Sequence, residues 1–205
     1  EVALELAEAL IQKWKGHPLI VPAIAPHSVY TTTPEILTAV SEMAKKYDVP
    51  VHFHVAEVSS EVEALRAEEG MPEVPYIRKF GMLDTKLIAA HCVHLDEGEI
   101  RSLQHAGAGI AHNPSSNLKL ASGFAPVQRM IELGVNVGIG TDGPASNNDL
   151  DMIDEIRLAS LVSKAVSEDP TALPAKISLA MATSMGARAL HIGEITGSLE
   201  PGKRA

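Results

Sequence analysis

Apolar positions along the chain alternate between two periods. In "EVALELAEALIQKW" (residues 1–14) they recur at helical spacing until Gly16 breaks the run. "LIVPAIAPH" (19–27) then reads as a buried strand ending at His27. "TPEILTAVSEMAKKYD" (33–48) returns to the helical period, with Thr33 placed as N-cap, Pro34 at the first helical position and Lys45 and Lys46 near the end. "VPVHFHVAE" (49–57) is the next strand, followed by helical patterns in "SSEVEALRAEEG" (59–70) and "VPYIRKFGML" (74–83). "KLIAAHCVH" (86–94), "AGIAHNP" (108–114) and "VNVGIGTDG" (135–143) read as three further strands. Between them lie the helix "DEGEIRSLQHAG", with Asp96 as cap and Gly107 as stop, and the helix "APVQRMIELG". Two helical stretches finish the chain, "LDMIDEIRLASLVSKAVS" (150–167) and "LPAKISLAMATSMGARAL" (173–190), in which Met181 and Met185 are core positions.

Five strands, each followed by a helix and apolar on both faces, predict a parallel sheet covered by helices. Each strand carries a histidine or an aspartate at its C-terminal end: His27, His54, His91, His112 and Asp142. A doubly wound sheet places its ligands mainly at one switch point, whereas a (β/α)8 barrel collects active-site residues from the ends of several strands. The fold expected is therefore an α/β TIM-type barrel that lacks its first strands. Both ends, Glu1 inside a helical pattern and the turn-rich "GSLEPGKRA", read as parts of a longer chain.

Composition narrows the classes. With 17 basic against 26 acidic residues the net charge is −9, which disfavours a nucleic-acid surface. There is no 18-residue apolar run, so no membrane span is expected. The single Cys92 excludes an internal disulfide and suits a reducing compartment, with the cytoplasm as default.

The polar residues at the strand ends divide into candidates and bystanders. His54 and Glu57 form H-x-x-E across a strand end, which suits either a metal-ligating imidazole with a proton-shuttling carboxylate or a core histidine before a surface glutamate. His52 shares the face of His54 two strand rises deeper and reads as a packed interior histidine. In "AAHCVH" His91 ends the strand and faces the cavity, while His94 braces the loop. "HNPSSNLKLASG" reads as a long polar loop whose Asn113, Ser115, Ser116 and Asn117 are either binding residues or ordinary turn formers. Asp142 follows a buried strand and needs a cation, a metal or donors; an Asx-turn satisfies it equally well. "VGIGTDG" is not a dinucleotide fingerprint, because an acid follows its second glycine.

Together "APHS", "HFHVAE", "AAHCVHL", "HNPSSNLKLASG" and "GTDGPASNN" resemble the amidohydrolase superfamily. Within it they resemble the 5-methylthioadenosine/S-adenosylhomocysteine deaminases and their chlorohydrolase relatives. The resemblance runs from about residue 20 to the end. It implies a (β/α)8 barrel of which this chain carries about strands four to eight, with residues 1–195 in the barrel and 196–205 starting the return to a small β-domain.

It implies His54 and Asp142 as metal ligands, and one Zn2+ per site with Fe2+ or another divalent ion as substitute. Glu57 is implied as the carboxylate that binds the substrate ring and passes it a proton, and His91 as the residue orienting the attacking water. His27 is implied as a purine contact, and Asp142 as both proton acceptor and substrate contact. The implied reaction is hydrolytic deamination of a small purine nucleoside, 5-methylthioadenosine or S-adenosylhomocysteine, with no nucleic-acid or membrane partner and room for a homo-oligomer. Guanine deaminase or triazine chlorohydrolase activity is the alternative within the branch. The family's strand-one H-x-H, which supplies two metal ligands, has no counterpart before His27; a chain of 205 residues alone would be a non-catalytic partial barrel.

Overall fold

Residues 2–204 are described in a computed structural model. Helix α1 (Val2–Trp14) and helix α2 (Pro34–Tyr47) precede strand β1 (Pro50–Val55). Helices α3 (Ser59–Glu69) and α4 (Glu73–Arg78) and a 3₁₀ turn at Met82–Asp84 lead to β2 (Lys86–His91). Helix α5 (Glu97–His105), β3 (Gly109–His112), α6 (Pro114–Lys119), α7 (Val127–Glu132) and β4 (Asn136–Ile139) follow. The chain then runs through α8 (Met152–Ser167), α9 (Ala175–Met181) and α10 (Ser184–Ala189). The four strands pair in parallel in chain order, β1-β2-β3-β4.

Local signals set several boundaries as the sequence predicts. Thr33 caps α2 ahead of Pro34, and Asp48 closes it in the left-handed region at φ 56°. Asp96 and Glu99 form a reciprocal capping box on α5: the Asp96 side chain accepts the Glu99 amide at 2.9 Å and Glu99 accepts the Asp96 amide at 3.1 Å.

The fifth expected strand, 19–27, is not a strand. It lies beside β1 through the single bridge Ile24↔Val51, and its bonds skip along the backbone: Ile24 N–H to Pro50 O, His52 N–H to Ile24 O, and His54 N–H to His27 O. Pro22 and Pro26 have no amide hydrogen to give a ladder, which keeps the segment extended but irregular.

Two helical expectations change as well. The polar stretch after β3 contains helix α6, entered through Pro114 at its first turn. The stretch 173–190 breaks into α9 and α10, and the break lets α10 lie across β3 and β4.

Side chains sort by strand alternation. Val51, Phe53 and Val55 of β1 are fully buried against the helices, and the two histidines of that strand point to the opposite face. β2 is buried on both sides through Leu87, Ile88, Ala89 and Ala90. The contact of α10 with the sheet is made by backbone: a Cβ on Gly109 would sit 1.9 Å from the carbonyl oxygen of Ala189, and one on Gly138 would sit 3.0 Å from the Cα of Gly186. Gly109→Ala should therefore destabilise the fold by about 1–3 kcal/mol, the usual cost of overpacking. Urea unfolding of the variant beside wild type measures it.

Candidate active site

The ends of β1 and β2 and the extended segment before α2 bring three imidazoles into a row. The rings of His27 and His54 stack with centroids 4.6 Å apart at 29°, and those of His54 and His91 follow at 5.3 Å and 19°. Tyr30 closes the row, edge-on to His27 at 5.5 Å. His54 Nδ1 lies 2.7 Å from the carbonyl oxygen of His27. A carbonyl only accepts, so Nδ1 carries the proton and Nε2 keeps a free lone pair. His91, buried at the end of β2, sits with Nδ1 2.8 Å from Asn117 Oδ1. Its Nε2 faces Glu57 Oε2 at 3.6 Å.

Glu57 reaches this position because the chain turns sharply after β1, with Ala56 left-handed at φ 50°. His91 and Cys92 are left-handed too, at φ 67° and 53°. The two turns interlock: Ala56 O accepts the amides of Val93 and His94, and Val55 O accepts that of Cys92.

Asp142 lies beyond the end of β4 at φ 60°. Its carboxylate collects the hydroxyls of Ser116 and Ser146, each at 2.7 Å, and the Gly143 amide at 2.8 Å. Partial desolvation pulls its pKa upward, but Ser146, Ser116, Gly143 and the nearby His91 outweigh it and hold the group below the usual aspartate range. Helix α6 thus serves two partners with consecutive residues, Ser116 to Asp142 and Asn117 to His91. The helix is itself anchored by Glu155, buried to 1 % exposure, which accepts the Ser115 amide at 3.1 Å and the Asn147 side-chain amide at 2.7 Å.

Some sequence candidates fall outside this group. His52 shares the face of His54, has no side-chain hydrogen bond among the described residues, and has its pKa lowered by desolvation and by the neighbouring His54 and His91. His94 braces a loop, with Nε2 2.7 Å from Ser122 O. Cys92 is fully buried and its thiol pKa is pushed well up by desolvation. His112 is buried with Nδ1 unpartnered.

The sequence left Ser116 and Asn117 open between binding residues and turn formers, and gave no notice of Ser146, of Glu155 behind α6 or of Glu73 behind Ala56. Ser116 and Asn117 carried the only signal, an unusually polar segment after a strand end.

Among the described residues no group of three or more His, Cys, Asp or Glu side chains is placed to hold a metal ion. His54 Nε2 and the anionic Asp142 are donors of the nitrogen and oxygen types that zinc takes.

Imidazoles and carboxylates gathered at the C-terminal ends of parallel strands occupy the positions where α/β-barrel enzymes build their active sites. Residues 1–205 match the amidohydrolase family, and the chain belongs to it. It is 48% identical over 204 residues to a 5-methylthioadenosine/S-adenosylhomocysteine deaminase of Moorella thermoacetica, covering 98% of this chain and 48% of that protein. The structure of an adenosine deaminase from Xanthomonas campestris with bound zinc superposes with a TM-score of 0.95 at 43% identity, covering 98% of this chain and 46% of the other. A guanine deaminase from C. acetobutylicum with bound guanine matches at 27% identity and TM-score 0.85, over 96% and 48% of the two chains. The chain spans about half the length of the relatives it matches, and its sheet is part of a (β/α)8 barrel.

Desolvation, and secondarily the charge of His91, lower the pKa of His112 from 6.5 to about 4. The folded protein then binds fewer protons than the unfolded chain between these values, so this contribution to stability is complete above pH 6.5 and is lost as pH falls toward 4. Denaturation at a series of pH values should show a shallower slope in that window for His112→Gln than for wild type.

Proposed function

We propose that this chain carries the proton-transfer half of a zinc-dependent deaminase acting on adenine nucleosides. The substrates inferred are 5-methylthioadenosine and S-adenosylhomocysteine, converted to the inosine analogue and ammonia. The observation that carries the reading is Glu57 facing His91 at the end of the His27–His54–His91 row, in a chain 48% identical to a deaminase of that name. The guanine deaminase, at 27% identity, supports the broader branch and less strongly a guanine substrate.

His54 through Nε2 and Asp142 through its carboxylate would hold the metal, with the remaining ligands from outside the described residues. Bound zinc supplies the Lewis acidity that makes water a nucleophile at neutral pH. Asp142, kept anionic by its donors, accepts the proton of the attacking water at a carboxylate oxygen and passes it to the C6 amino group, which leaves as ammonia while the C6 hydroxyl proton returns to Glu57. Glu57 delivers a proton to N1 of the purine as attack at C6 loads charge onto the ring. His91 stands where that charge and the departing ammonia must be accommodated, its orientation set by Asn117. His27, exposed beside Tyr30, offers an aromatic edge to the base.

The test is ammonia release by the protein as its gene encodes it, given 5-methylthioadenosine, S-adenosylhomocysteine, adenosine and guanine in parallel. Turnover of the thioethers is expected. Turnover of guanine alone would replace the reading with the alternative substrate, and none at all would leave a non-catalytic partial barrel. Glu57→Gln should lower kcat by at least about 10²-fold, the scale of a lost general acid–base, with zinc content by atomic emission unchanged.

A further inference from the structure

Glu73 takes no part in the chemistry proposed above, yet it is 3 % exposed and lies directly behind the turn that carries Glu57. Its Oε2 accepts the amide of Ala56 at 2.9 Å. That amide needs a partner. Ala56 is buried and left-handed, outside the ladder of β1, and an unpaired buried N–H is costly. The other side of the same residue is also tied, since its carbonyl accepts Val93 at 3.0 Å and His94 at 2.9 Å. The backbone of Ala56 therefore joins the turn before Glu57 to the turn after His91, and among the described residues Glu73 is the only side chain hydrogen-bonded to it.

Glu73 is fixed in its turn. The neighbouring Val74 amide donates to Glu99 Oε1 at 3.1 Å, while Glu99 Oε2 is engaged by the capping box of α5. Two buried carboxyl groups thus lead from a helix cap to the catalytic turn. Desolvation raises the Glu73 pKa to about 8, against the pull of the Ala56 hydrogen bond and with help from the charges of Glu99 and Glu61. At neutral pH the group is mainly an uncharged carboxyl accepting through one oxygen, which a glutamine reproduces.

We infer that Glu73 is a positioning residue for Glu57, acting through the Ala56 peptide to hold the carboxylate against His91. This rests on the deaminase reading, in which Glu57 carries the proton. The experiment compares Glu73→Met, which keeps bulk and removes the acceptor, with Glu73→Gln in the protein as its gene encodes it. Two readouts are taken: steady-state kinetics on 5-methylthioadenosine and hydrogen exchange of the Ala56 amide by NMR after alanine labelling.

Glu73→Met should lower kcat by about 10- to 100-fold, the scale of a small misplacement of a reacting group, with KM nearly unchanged. The Ala56 amide should exchange faster, and Glu73→Gln should recover both. Wild-type kcat in folded Glu73→Met overturns the inference, as does unchanged Ala56 exchange or failure of the glutamine to recover activity. If the methionine variant does not fold, Glu73→Asp, which withdraws the carboxyl by one methylene, is judged on the same two readouts. Absence of ammonia release by wild type would instead sink the deaminase reading, and Ala56 exchange alone would then decide whether Glu73 fixes the turn.

Discussion

The peptide of Ala56 has no reactive group, yet the rim of the sheet hangs from it. Its amide goes to Glu73 and its carbonyl takes two amides from the turn after β2. A parallel strand ends with backbone groups that the next strand no longer pairs, and burial makes each unpaired group costly. Here the groups past β1 and β2 pair with each other. The closeness of Glu57 and His91 therefore follows from backbone satisfaction before any side-chain attraction between them is counted.

A second tie completes the rim. Ser116 and Asn117, adjacent on α6, bind Asp142 and His91, and Glu155 holds the start of that helix. The turn that follows His91 belongs to the first tie and the His91 ring to the second, so the two halves of the rim meet at this residue. The imidazoles are each oriented by an oxygen, His54 by the His27 carbonyl and His91 by Asn117. Such outer contacts fix which nitrogen is free for chemistry.

Much of this was legible from the sequence because its signals were local. Strand alternation put His54, His91 and His112 at strand ends, and Thr33 and Asp96 announced their helices by cap chemistry. What escaped depended on distant partners. Residues 19–27 have a strand's apolar content, but their prolines deny the ladder. Helix α6 is only six residues long and depends on Glu155, forty residues away. The break between α9 and α10 brings Gly186 against Gly138 of β4, a contact that nothing within 173–190 announces. Glu73 went unremarked, lying just before the helical pattern of 74–83, because nothing near it in sequence announces the turn it supports. Asp142 was legible as a polar group needing partners, while the serines that supply them were indistinguishable from turn formers.

The order of the sheet carries a consequence for how the chain is made. Each strand pairs with the one just before it, so a chain emerging from the ribosome always meets a template that is already out. Assembly can proceed as a growing edge, without waiting for a distant segment. The exception is the return of the last helices: His191 reaches back 104 residues to the carbonyl of Leu87 at 3.0 Å, and α10 lies across β3 and β4. Until that segment is synthesised, the part of β3 and β4 that α10 packs against stands uncovered. The stretch between β4 and α10 is thus also a waiting time, during which that surface is open to other chains.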